Sequence, residues 1–213
     1  MRLKRNKQIC SAIVIAISCL LLSSIAAADY KSVIKDKFWG AIYKNGGQTF
    51  FCKKSFSKKT PLLAVSHIYP SAQVRDHLQC GTKRQCLRSD DRYMEIISDL
   101  HNVVPADSYF EFKRKGAKFG NLEETIEANN CGIRKKLHII DPPNELKGDI
   151  ARILFYMKAN YDLPLRTHMS LLKLWHENDP PSPEEVSRNA IVAEYQGNEN
   201  EFISNPSLAY NID

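Results

Sequence analysis

The chain has 213 residues, 30 basic against 24 acidic side chains, six cysteines and a hydrophobic fraction of 43%. That balance excludes a disordered polyelectrolyte and a multi-span membrane protein, and the length suits one domain with a substantial core. Its N-terminus reads as a secretory signal peptide over residues 1–28, with a basic start (Arg2, Lys4, Arg5, Lys7), an apolar run from Ile13 to Leu22, and Ala26-Ala27-Ala28 for the peptidase. The apolar run is roughly a dozen residues, short of the ~20 that span a bilayer as a helix, so no membrane association is expected after cleavage.

Cleavage after Ala28 leaves residues 29–213 as the mature domain and removes four basic residues and no acidic ones, leaving 26 basic against 24 acidic. The charge is unevenly placed. Eight lysines and one acid, Asp36, lie between Lys31 and Lys59, whereas eight acids and one base, Arg188, follow from Glu177 onward. A polyanion-binding face with an acidic far side fits that asymmetry. Cys10 and Cys19 leave with the signal. The remaining Cys52, Cys80, Cys86 and Cys131 allow three disulfide pairings; the short gap favours Cys80 with Cys86, leaving Cys52 with Cys131. A zinc site is the rival reading, without Cys-x-x-Cys spacing to support it.

In chain order, Val33, Phe38, Ala41 and Ile42 recur at helical spacing from Tyr30 to Tyr43, and Asn45-Gly46-Gly47 ends that helix. Thr49 to Cys52 reads as a short aromatic strand, Lys53 to Thr60 as a basic loop, and Leu62 to Val65 as a strand leading to His67. The polar, cysteine-bounded stretch from Gln79 to Asp90 reads as irregular. Arg92 to Leu100 is expected as helix, and His101 to Pro105 as a short strand and turn. The last third is helical. Ile150, Ile153, Leu154, Met157 and Tyr161 form one stripe, and Thr167 is the expected cap of a helix carrying Leu171, Leu172, Leu174 and Trp175. Ser182, Pro183 and Glu185 make a helix start that Gly197 closes. Such runs give an α+β fold.

There is no glycine-rich phosphate loop, no His-Glu-x-x-His and no Gly-x-Ser-x-Gly. What remains is His67 before a Tyr-Pro turn and the run Asp99-Leu100-His101-Asn102-Val103-Val104-Pro105-Ala106. On local grounds alone a lone histidine is a packing residue, and an asparagine before a proline turn is a turn former.

The ordered set of motifs resembles the bacterial endonuclease I family. Asp99 to Ala106 is similar to its Asp-Leu-His-Asn-Leu-x-Pro-Ala signature, and Val65 to Ala72 resembles its Glu-His-Val-Val-Pro-Ala motif. Thr49 to Cys52 resembles the family's Thr-Phe-Tyr-Cys strand. Ile150-Ala151-Arg152 with Tyr156-Met157 resembles its Ile-Ala-Arg-x-x-x-Tyr-Met helix. Trp175, Asp179-Pro180-Pro181, Arg188-Asn189 and Gln196-Gly197-Asn198-x-Asn200 follow in family order.

The resemblance implies a ββα-metal (His-Me finger) nuclease core with a mainly helical, disulfide-bonded remainder. It also implies a periplasmic or secreted, sequence-nonspecific endonuclease acting on DNA and RNA. His67 then matches the general base, and Asn102 matches an amide ligand to one Mg²⁺, with Mn²⁺ or Ca²⁺ as alternatives. Arg84, or Lys83 beside it, and Arg114 match phosphate-binding positions. No feature argues for an oligomer, so a monomer is expected.

One departure matters. Where the family has a metal-binding glutamate before the catalytic histidine, this chain has Ser66. A unit charge beside a divalent ion is worth roughly 8 kcal/mol of gross attraction at 4 Å; serine offers a neutral oxygen on a shorter arm. Three outcomes follow: another carboxylate (Asp99, Glu95 or Asp107) enters the site, substrate phosphate supplies the charge, or hydrolysis is lost and nucleic-acid binding remains. A secreted scaffold that binds a protein is the third class of reading.

Overall fold

The computed structural model describes residues 29–213, and the expected signal peptide lies outside them. The chain opens with α1 (Tyr30–Ser32), whose start is capped by the Asp29 carboxylate, and runs straight into a π-helix (Val33–Ile42). The wider winding shows in the Tyr43 N–H, which donates five residues back to the Phe38 carbonyl at 3.0 Å. Its buried face, Val33, Phe38 and Trp39, packs with Leu100, Val103 and Val192.

Strands β1 (Gly47–Gln48) and β2 (Ser55–Phe56) form a short antiparallel pair. The aromatic strand expected at Thr49–Cys52 is instead the tight connection between them. The Thr49 and Lys54 backbones pair at 2.9 Å, the Lys53 N–H returns to Thr49, and the Phe50 N–H donates to Pro105 at 2.7 Å. Phe51 is driven inward as a core ring (2% exposed).

The central ribbon pairs β3 (Leu63–His67) with β4 (Val103–Asp107) antiparallel, His67 opposite Val103 and Ser66 opposite Val104. Successive side chains on a strand face opposite ways. Leu63 and Val65 pack toward the N-terminal helix, while Val104 and Ala106 join the main core.

Three helices fill the long connection: α2 (Ser71–Leu78), α3 (Lys83–Ser89) and α4 (Asp91–Ser98). The stretch expected to be irregular is therefore largely helical. Thr82 and Gln85 form a reciprocal capping box that offsets the cost of nucleating a seven-residue helix, and the Cys80–Cys86 disulfide ties its entry.

After β4 the chain turns into α5 (Ser108–Arg114), started by the Asp107 carboxylate accepting from the Tyr109 and Phe110 N–H groups. Strands β5 (Lys118–Phe119), β6 (Arg134–Lys136) and β7 (Ile139–Asp141) form a small sheet with β7 central. The Cys52–Cys131 disulfide joins the β1–β2 turn to the segment entering it. Helix α6 (Lys147–Tyr161) is the core element, nine of its residues buried. Around it lie α7 (Met169–Asn178), α8 (Pro183–Gln196) and α9 (Glu201–Ser204).

The expected cap of α7 is corrected. His168 occupies that position, and the Thr167 hydroxyl donates instead to the Phe119 carbonyl at 2.7 Å. Ser182 does cap α8, accepting from the Glu185 N–H, and Gly197 closes it at φ +92°, a left-handed conformation that favours glycine. A second glycine is fixed by proximity: a Cβ on Gly148 would collide with the Asp179 carbonyl, so α6 and the end of α7 meet without a side chain between them. Arg152, fully buried, clasps these helices through Glu185 (2.6 Å), Asp149 (3.0 Å) and the Asp179 carbonyl. Burial and the adjacent Glu185 push Asp149 up to about 7, against the pull of Arg152.

Candidate active site

His67 ends β3, where the ribbon meets α4 and the N-terminal helix. Its Nε2–H donates to the Ile97 carbonyl at 2.9 Å. A carbonyl can only accept, so the neutral ring carries its proton on Nε2 and its lone pair on Nδ1. Burial lowers the His67 pKa below 6.5, and the Arg114 and Lys83 charges push the same way against the Ile97 bond and Glu111. The ring therefore stays neutral at ordinary pH. Tyr30 stacks on it, centroids 5.8 Å apart and planes 28° from parallel. Burial, aided by Tyr93 and Glu111, pushes the Tyr30 phenol up to about 12, which keeps that neighbour uncharged.

Ser66, fully buried, points the other way, toward α5. Its hydroxyl donates to Glu111 Oε2 at 2.6 Å and accepts from Arg114 Nη1 at 3.0 Å. A carboxylate thus stands against the position where the family glutamate is missing, and it is none of the three foreseen. Asp99 is buried and engaged by the Tyr156 and Tyr161 hydroxyls (2.7 and 2.6 Å) and by the His101 N–H. Asp107 caps α5 and faces Lys54, and Glu95 is exposed on α4. Glu111 was missed because α5 has no long apolar period; the Asp107 cap and the Glu111/Arg114 spacing of three were the available signals.

Two expected site residues are placed differently. Asn102 is fully buried, its Oδ1 accepting from the Tyr69 N–H at 2.6 Å and its Nδ2 donating to the Tyr69 carbonyl at 3.0 Å. This two-point clasp engages both polar atoms of the amide and turns it into the protein. Arg114, expected to hold phosphate, has a side chain only 1% exposed. Its guanidinium donates to the His67 and Ile68 carbonyls (both 2.9 Å) and lies over the Phe51 and Phe119 rings. It fixes the end of β3 from beneath, and Glu111, 3.5 Å away, is its carboxylate partner.

Lys83 and Arg84 are both exposed on α3. The Lys83 charge adds a small push toward the neutral form of His67. The Asp99-Leu100-His101-Asn102 run is tied into the fold by several buried bonds. Besides the Asp99 and Asn102 bonds, His101 Nε2 meets the Asn198 carbonyl at 2.9 Å. Arg188 donates to the Leu100 and Val103 carbonyls at 2.7 and 2.6 Å.

These features define an α+β protein with two disulfides, in which a histidine-bearing strand packs on a carboxylate-bearing helix. The family model for Endonuclease I matches residues 24–207, and the chain belongs to that family. It is 28% identical over 144 residues to Endonuclease-1 of Buchnera aphidicola subsp. Acyrthosiphon pisum (strain APS), covering 64% of this chain and 57% of the relative. An extracellular deoxyribonuclease of Aeromonas hydrophila is 28% identical over 145 residues, covering 64% and 63%. An extracellular ribonuclease of Bacillus subtilis (strain 168) is 31% identical over 134 residues, covering 54% and 46%. The match therefore spans about half to two thirds of the length of these relatives. Nucleases of the family are generally metal-dependent.

Proposed function

We propose that the chain is a metal-assisted endonuclease that hydrolyses phosphodiester bonds of DNA and RNA without sequence preference, working as a monomer in the periplasm or outside the cell. The observation that carries this reading is the Glu111 carboxylate held 2.6 Å from Ser66, next in sequence to a neutral, oriented His67. Substrate and location rest on the relatives, named as deoxyribonucleases and ribonucleases, extracellular or periplasmic. We further read β3, β4 and α5 as the ββα-metal element of the family.

The donor set fits a hard ion that keeps much of its water. Glu111 is 28% exposed at its side chain and both bonds that hold it end on Oε2. No group of three or more His, Cys, Asp or Glu suited to a metal occurs among the described residues. A full protein cage is therefore absent there, and Mg²⁺ commonly binds through one or two carboxylates plus substrate phosphate. Glu111, through the Oε1 that those bonds do not engage, would hold such an ion, with the buried Ser66 hydroxyl fixing the carboxylate, and the ion when bound would neutralise phosphate charge and stabilise the leaving 3′-oxygen.

The chain's own groups do the rest. Nδ1 of His67 takes a proton as water attacks phosphorus in line, and the P–O3′ bond breaks with the 3′-oxygen protonated from solvent. The Ile97 carbonyl stabilises the imidazolium formed, and Lys83 attracts the phosphate.

The test is supercoiled-plasmid cleavage by the oxidised mature chain, with Mg²⁺ or chelator, beside His67→Ala. Magnesium-dependent nicking lost in the variant is expected. Plasmid retained by the protein yet uncut would instead make the chain a nucleic-acid binder, with Glu111 serving only as counter-ion to buried Arg114.

A further inference from the structure

The seven residues of α5 present two faces with different surroundings. Inward, Phe110 packs against Phe51, Arg114 supports β3 and Glu111 meets Ser66. Outward, Tyr109 and Phe112 stand 70% and 63% exposed, beside a run of chain where other aromatic rings are buried. Each outward ring carries an ammonium group. Lys113 Nζ lies 5.3 Å from the Tyr109 centroid, and Lys115 Nζ lies 5.1 Å from the Phe112 centroid.

Two large rings left in water give up apolar burial, and the fold gains nothing visible from keeping them there. A solvent-exposed ring with a mobile lysine over it offers an unstacked base a stacking partner and its phosphate a counter-charge. Tyr109 and Phe112 lie two residues and one residue from Glu111 on the same helix, about 160° and 100° around its axis, so a single strand whose phosphate is held at that carboxylate meets the rings by passing around α5. A duplex cannot use such a platform, since its base faces are already stacked.

We propose that Tyr109 and Phe112, with Lys113 and Lys115, form a nucleobase-stacking subsite beside the cleavage centre that favours single-stranded or locally opened nucleic acid. This deepens the nuclease reading and rests on it. An apolar protein partner is the lesser fit, because the lysines on both rings complement a polyanion.

The experiment is equilibrium binding in chelator, where no cutting occurs, to a labelled thymidine strand, an abasic strand of equal length and a duplex. Parent, Tyr109→Ser and Phe112→Ser are compared, with melting curves to show that the exposed positions leave folding intact. Loss of roughly tenfold per ring on the base-bearing strand, with abasic strand and duplex unchanged, is expected. Equal losses on all three ligands, or no loss on any, would overturn the proposal. Failure of the nuclease reading would show separately, as an absence of plasmid cutting.

Discussion

Replacing Glu111 by glutamine keeps the side-chain shape and removes the charge, and the structure gives the scale of both consequences. For stability, the Arg114–Glu111 attraction at 3.5 Å is about 5 kcal/mol gross at an effective dielectric of about 20. Glu111 is partly exposed, so solvent screening trims the net loss to about 1–2 kcal/mol. Weakening the 2.6 Å Ser66 bond from charge-assisted to neutral adds about 1 kcal/mol. At about 2–4 °C per kcal/mol for a chain of this size, the melting temperature should fall by about 5–10 °C.

For catalysis, the variant removes the only carboxylate bonded to Ser66 among the described residues. A loss of at least about 100-fold in cleavage at fixed Mg²⁺ is expected, about 2.8 kcal/mol, well inside the roughly 8 kcal/mol gross attraction between a carboxylate and a divalent ion. Adding Ser66→Glu to Glu111→Gln carries the charge across that 2.6 Å contact, back to the strand, and should restore at least about tenfold of the rate, a coupling that a double-mutant cycle reads directly. The assay is plasmid nicking across a Mg²⁺ series at a temperature where melting curves show every variant folded. A folded Glu111→Gln that nicks as fast as its parent at every Mg²⁺ concentration would refute the reasoning.

Two further outcomes follow. Burial lowers the His67 pKa, so the neutral base persists to lower pH than a free imidazole: the acid limb of kcat/KM should have its midpoint below pH 6.5, and a midpoint at or above 6.5 by kinetics or imidazole NMR would count against His67 as the base. The same sign applies to folding, with stability from the neutral ring held above about pH 6.5 and lost as pH falls toward the depressed folded value. Asn102→Ala breaks two buried backbone bonds to Tyr69, so a loss of about 2–4 kcal/mol in denaturant unfolding is expected. Half-saturating Mg²⁺ should stay unchanged in the folded fraction; a large rise in it with stability intact would restore Asn102 as a metal ligand.

The C-terminal helices were legible because their signals are local. The apolar stripe of α6 repeats at helical spacing, and Ser182 and Gly197 mark both ends of α8. The Lys83–Ser89 helix was missed, because its polar composition hid it although the Thr82/Gln85 box marks its start. The Thr49–Cys52 error has a different cause. Aromatic content suits a strand, yet the Thr49–Lys54 pairing, the Phe50 bond to Pro105 and the Cys52–Cys131 bridge hold the segment as a turn.

From the sequence alone came the family, the cysteine pairing favoured by the short gap, His67 as the candidate base and the missing glutamate at Ser66. Each is carried by residue identity and order along the chain. Tertiary structure decided which carboxylate stands in that gap and why Asn102 and Arg114 turn inward. Ser66 and Glu111 are 45 residues apart. Their meeting depends on the β3–β4 register and on α5 docking beneath the ribbon, and a one-residue slip would turn Ser66 to the other face.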